Sequence, residues 1–71
     1  MGANVKTRLP GSVWQVLVKP GDQVTAGDVL FVLEVMKTEV PHPAPIAGRV
    51  DAVTVAEGDS VDADVIAVVL K

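Results

Sequence analysis

Apolar positions along this chain come in short, valine-rich runs separated by dense Pro, Gly and Asp punctuation. Breaks fall at Pro10-Gly11, Pro20-Gly21-Asp22, Gly27-Asp28, Pro41 through Pro45, Gly48 and Gly58-Asp59. The segments between them, 12–19, 29–34, 38–41, 48–56 and 65–70, are too short for helices and rich in β-branched residues. Each therefore reads as a strand. Runs 29–33 and 65–70 are almost wholly apolar, which predicts burial between two sheets. Short strands at this spacing predict an all-β sandwich or barrel.

The pattern also repeats. Gly11, Val13, Val16, Val18, Gly21, Asp22, Val24, Ala26 and Leu33 recur 37 positions later as Gly48, Val50, Val53, Val55, Gly58, Asp59, Val61, Ala63 and Leu70. Nine identities at one offset without a gap predict two copies of a β unit related by internal pseudo-twofold symmetry. In each copy the inward phase slips once, at Val13–Val16 and at Val50–Val53, which predicts a β-bulge built into both. Gly21-Asp22 and Gly58-Asp59 then form matching turns, with glycine at positive φ and Asp capping the backbone. Val24 and Val61 are expected to plug the core from the segments that follow.

Composition narrows the class. Seventy-one residues make one small domain, 1–71, and a chain this short buries only about 60% of its unfolded surface. Cysteine is absent, so stability falls to a core drawn from sixteen valines, five leucines and two isoleucines. The net charge of −3 disfavours nucleic acid and anionic membrane surfaces as partners, because both require clustered cations. No apolar run approaches membrane-spanning length. The opening Met1-Gly2-Ala3-Asn4-Val5-Lys6 lacks a signal-peptide core, so the expected location is cytoplasmic. The starting Met1 and a domain-length chain lead us to expect a free-standing protein.

Few side chains offer chemistry. Ser12 and Ser60 sit beside turn residues, and the lone histidine, His42, lies between Pro41 and Pro43, where it is expected to be solvated. Asp59, Asp62 and Asp64 lack the glycine and closing glutamate of a calcium loop, and no His/carboxylate set has metal-ligand spacing. Of four lysines, Lys6, Lys19 and Lys71 read as surface charge. Lys37 differs, because it falls in the connector between the copies and neither copy contains its counterpart. With Met36 it would occupy a tight hairpin turn, whose central residues take positive φ and normally read Asn-Gly. Side chains there cost about 1–2 kcal/mol each, which points to a use for the residue displayed.

With these residues in place, the chain resembles the biotinyl/lipoyl attachment domain family, and within it the biotin carboxyl carrier branch. The resemblance rests on Pro10-Gly11-Ser12-Val13, Val18-Lys19-Pro20-Gly21-Asp22, Gly27-Asp28-Val29-Leu30, Leu33-Glu34-Val35-Met36-Lys37, Ala44-Pro45-Ile46-Ala47-Gly48 and Glu57-Gly58-Asp59. It covers nearly the whole chain. It implies a flattened barrel-sandwich of two antiparallel β-sheets, with Lys37 joined through its ε-amine to the carboxyl group of biotin. Met36 is then read by a biotin protein ligase, while Val35 and Thr38 complete the recognition and hairpin segment. Biotinyl domains usually carry Ala or Ser at Val35 and a second Met at Thr38. Lipoyl domains usually carry Asp before their lysine, and Met36 sets this chain apart from them. Some carriers have an added loop in the first half, and the segment from Asp22 to Glu34 leaves no room for one.

The implied role is a swinging arm that carries carboxyl groups from an ATP-dependent biotin carboxylase to a carboxyltransferase. The chain itself would supply neither catalytic site. Three other readings stand beside it. One is a lipoyl carrier of a 2-oxo acid dehydrogenase complex. Another is an enzyme using Lys37 as a Schiff-base nucleophile, for which a small β domain offers no desolvated pocket. The third is an unmodified module for protein contact.

Overall fold

The computed structural model describes residues 2–71 and contains only strands and turns. Eight strands follow one another as β1 (Ala3–Lys6), β2 (Gly11–Val16), β3 (Gln23–Val24), β4 (Val29–Val35), β5 (Thr38–Pro43), β6 (Gly48–Val53), β7 (Ser60–Val61) and β8 (Ile66–Leu70). They form two four-stranded sheets, ordered β1-β8-β6-β3 and β5-β4-β2-β7, and every pairing is antiparallel. The two orders map onto each other under the 37-residue offset, so the expected all-β barrel-sandwich and its pseudo-twofold are both present.

Backbone hydrogen bonds lock the copies together reciprocally. Gly21 N–H donates to Val50 O and Gly58 N–H to Val13 O, each at 2.8 Å. In return Val50 N–H donates to Asp22 O and Val13 N–H to Asp59 O, again at 2.8 Å. The Gly-Asp turn of one copy thus closes the long strand of the other. Gly21 and Gly58 adopt φ of 96° and 94°, conformations open to glycine at little steric cost. Asp22 and Asp59 accept the backbone N–H of Lys19 and Ala56 at 3.0 and 2.9 Å, capping each turn as expected.

The predicted bulges are also present, between Val13 and Gln15 in β2 and between Val50 and Ala52 in β6. They let Val13, Val16 and Val18 all turn toward the core, which centres on Leu30, Phe31, Leu33, Val50, Val68 and Leu70. Val24 is buried there, and Val61 packs against it partly buried.

Four expectations need correction. Segments 12–19 and 48–56 leave regular pairing at Val16 and Val53, where the chain turns toward the Gly-Asp loops. Runs 29–33 and 65–70 are not buried throughout: Val29 and Ile66 are 37% and 38% exposed. In β4 the register shifts between Val29 and Phe31, which turns Val29 outward. Apart from these corrections, β1 and the two-residue β3 and β7 carry no strand prediction, because each presents too little periodicity; β1 has one inward apolar side chain, Val5. Segment 38–41 continues to Pro43. β5 is an edge strand, so the N–H groups missing at Pro41 and Pro43 break no ladder.

The fourth correction is His42, which is buried rather than solvated, at 1% exposure. It is the counterpart of Val5 and fills an inward site. Its ring stacks on Phe31 with centroids 4.5 Å apart. Nε2 accepts the Arg8 N–H at 3.1 Å, and Nδ1 lies 3.1 Å from Val40 O. An accepting Nε2 fixes the proton on Nδ1, so the neutral Nδ1–H tautomer satisfies both contacts. Protonation would set an N–H of the ring against the Arg8 N–H.

Burial, and secondarily the Arg8 charge, hold the His42 pKa below its ordinary value of 6.5, against the opposing pull of Val40 O. Below pH 6.5 the unfolded chain therefore binds the proton more readily than the native one, and stability falls with acidification. Thermal melts from pH 7.5 to 5 should show a decreasing midpoint for the wild type. The slope should be shallower in His42→Gln. Parallel slopes would refute this role for His42.

Candidate functional site

β4 and β5 form a hairpin in which Glu34 faces Glu39 and Val35 faces Thr38. Met36 and Lys37 are its two turn residues, with φ of 50° and 64°. Positive φ at both central positions is the type I′ condition, which matches the right-handed twist of the strands. The sequence pays a conformational penalty here that Asn-Gly would avoid. Elsewhere among the described non-glycine residues only Asp64 adopts positive φ, at 61°, and it is the counterpart of Gly27.

The hairpin is anchored from below. Val35 is half-buried and packs against the core, so it orients the turn and offers little surface to a partner. Gly11, at the start of β2, lies beneath it. A Cβ there would come within 2.6 Å of Glu34 O and 2.9 Å of a Val35 methyl, so only glycine lets β2 approach this closely.

Above the anchor the side chains project outward. Met36 is 94% exposed, and Lys37, Thr38, Glu34 and Glu39 are exposed too. The two salt bridges among the described residues join Lys19 to Asp22 and Lys71 to Asp51, and neither engages Lys37. Glu34 and Glu39 stand opposite each other as like charges, an unfavourable cross-strand pair. The larger surface clefts lie away from the turn, lined by Gly2–Asn4 with Val69–Lys71 or by Leu17, Val18 and Val29.

The four residues singled out from sequence are therefore contiguous, with Met36, Lys37 and Thr38 outward and Val35 inward. No group of three or more His, Cys, Asp or Glu capable of holding a metal exists among the described residues. One primary amine raised on a rigid hairpin, with no enclosing pocket, can be acylated and can then move an attached group.

Such an arrangement fits a carrier module. The family model described as "Biotin-requiring enzyme" matches residues 2–70, and the chain belongs to that biotin/lipoyl attachment family. It is 46% identical to the "Biotinylated protein TB7.3 homolog" of Mycobacterium leprae over 97% of this chain and 99% of that protein. It is 42% identical to a biotin carboxyl carrier protein of Streptococcus mutans, over 78% of this chain and 42% of the relative. Among solved structures, the urea carboxylase of Kluyveromyces lactis matches with a TM-score of 0.92 and 30% identity, over all of this chain but 6% of that one. The chain thus spans nearly all of one relative and a small part of a large carboxylase.

The turn residues fit covalent biotin. An amide needs one primary amine that is accessible and unpaired, and Lys37 meets both conditions. Relief of turn strain gives a test of this geometry. Replacing Met36-Lys37 by Asn-Gly should raise stability by about 1–2 kcal/mol, or roughly 4–8 °C in melting temperature per kcal/mol, while removing the amine. An unchanged or lower midpoint would show that the turn is not strained.

Proposed function

We propose that the chain is a biotin carboxyl carrier, modified at Lys37 and serving a biotin carboxylase and a carboxyltransferase in turn. The observation that carries the site assignment is the placement of Lys37 as the second positive-φ residue of the β4–β5 turn. A biotin protein ligase would present biotin as an activated acyl group. The Lys37 amine attacks its carbonyl carbon, the N–C bond forms, the bond to the leaving group breaks, and the amine releases a proton to solvent. The positive charge of the lysine disappears in the amide, and the carboxylates of Glu34 and Glu39 remain as the charged groups of the tip.

When bound, biotin supplies a ureido nitrogen that accepts and donates a carboxyl group. The protein's own residues do the rest. Val35 and Gly11 fix the base of the hairpin, Met36 and Thr38 frame the lysine for the ligase, and the paired sheets keep the apex clear of the body. Tethering raises the effective concentration of the cargo at each partner without free diffusion. Relatives that fuse this domain to a carboxylase and relatives that consist of it alone support the same role, since only the arm and its rigid mount are common to both.

Coexpression with a biotin protein ligase should add one biotinyl mass to the wild type and give a streptavidin-positive band. Lys37→Arg should fold normally and gain neither. Coexpression with a lipoate ligase should leave the wild type unmodified. Addition of lipoyl mass in preference to biotin would refute the biotin assignment, and biotin on Lys37→Arg would refute the site.

A further inference from the structure

The internal repeat supplies its own control. Each exposed side chain in one copy has a counterpart 37 residues away in the same backbone setting, so a difference between them is not dictated by the fold. Trp14 and Asp51 are the extra residues of the two matching bulges. Leu17 and Thr54 follow them, each donating its backbone N–H across the sheet, to Leu30 O at 2.9 Å and to Ala67 O at 2.8 Å. The fold thus accepts Asp and Thr at these places. In the lysine-bearing sheet it nevertheless carries Trp14, 44% exposed, and Leu17, 52% exposed.

These residues belong to a larger outward surface. Gln15, next to Trp14, pairs with Val32, which pairs in turn with Pro41. Val32 is only 8% exposed yet lies outside the core cluster, so neighbours on the outer face cover it. Nearer the tip runs the row Glu39–Glu34–Ser12. At the side, the Glu57 carboxylate accepts the Val16 N–H at 3.1 Å, which pins its charge beside the same strand. The counterparts on the other sheet are Lys71 for Glu34, Arg49 for Ser12 and Pro20 for Glu57. An apolar strip edged by carboxylates therefore occurs on one sheet alone, the sheet that ends in Lys37. The Gln15–Val32–Pro41 row, beside Trp14, lies four residues from the turn, about 13 Å along the strand.

We propose that this outward face, Trp14 and Leu17 edged by Glu34, Glu39 and Glu57, is the surface by which the chain docks on its biotin carboxylase. The inference rests on the carrier reading above. Charge complementarity argues for the partner: ATP and bicarbonate are anions, so an enzyme that binds them holds cations at its active site, and this face offers the opposite charge around an apolar centre. Trp is well suited to such a place, because its indole buries a large area at low entropic cost and accepts a cation on its face. A row of acids screened by salt, with a small apolar patch, also gives the fast and weak association that a shuttling carrier requires.

The test exchanges residues between the copies. Trp14→Asp with Leu17→Thr installs side chains already present at the matching positions, and Asp51→Trp makes the reverse change on the other sheet. Trp14→Gln serves as a second, milder variant, and thermal melts confirm that each protein folds. Each is biotinylated by coexpression with a ligase and verified by intact mass. The holo chain is then titrated as substrate of a stand-alone bacterial biotin carboxylase with ATP and bicarbonate.

The double variant should raise KM for the carrier at least tenfold with kcat unchanged, and Asp51→Trp should match the wild type. Glu34→Gln with Glu39→Gln should raise KM less and flatten its dependence on salt. Three results would overturn the proposal: a KM for the double variant within twofold of wild type, a defect confined to the biotinylation rate, or a wild-type dimer that the double variant dissolves. A wild type that takes no biotin at Lys37 sinks the carrier reading and this surface with it. A biotinylated wild type with an unchanged variant KM sinks the docking surface alone.

Discussion

The reciprocal backbone clasp between the two copies is the constraint on which the rest of this structure depends. Four hydrogen bonds of 2.8 Å tie Gly21-Asp22 to Val50 and Gly58-Asp59 to Val13. Neither copy can close its own long strand, so neither is expected to fold alone. A domain of this size has little buried area to spare, and it has no cysteine and, among its described residues, no cluster of metal-ligating side chains. Interlocking the halves makes every core valine serve a single cooperative unit.

That body is what lets the β4–β5 turn remain strained. Two non-glycine residues at positive φ would open the turn of an isolated hairpin, which is marginal in water at best. Here Val35 is gripped by the core and Gly11 admits β2 against the Glu34 carbonyl, so the turn inherits its geometry from the sheets. The same support tolerates Glu34 opposite Glu39. Strain and like-charge repulsion both concentrate at the one apex where the chain displays an amine. Packing explains neither, which fits an apex kept for the side chain it displays.

Much of this was legible in the sequence because the repeat doubles each signal. One slipped valine phase is ambiguous, whereas the same slip at Val13–Val16 and Val50–Val53 identified the bulges. The Gly-Asp turns and the positive-φ lysine followed from backbone sterics that a sequence reports directly. The family and its biotin chemistry were legible in Val35-Met36-Lys37-Thr38 and its flanks. What stayed hidden depended on partners distant in sequence. β1 carries one inward residue and is a strand only because β8 pairs with it. His42 reads as polar between two prolines, and its burial follows from Phe31 on β4 and the Arg8 amide after β1. The offset itself held the missing clue, since His42 stands where the first copy has Val5.

Duplication also explains how a scaffold so regular can be functionally one-sided. The positions of the clasp and the bulges are under the same physical demand in both copies, and there the residues agree: Gly21 with Gly58, Asp22 with Asp59, and valine at the bulge flanks. Outward positions are free of that demand, and there the copies diverge in both charge and polarity, Glu34 against Lys71 and Trp14 against Asp51. The sheet ending in the lysine turn has become acidic with an apolar centre. The other presents Arg49 and a Lys71–Asp51 pair. Trp14 on β2 and Leu17 just past its end lie beside the sheet that holds the arm, where the matching positions of the other copy carry Asp51 and Thr54, so the apolar centre goes with the arm and not with the fold.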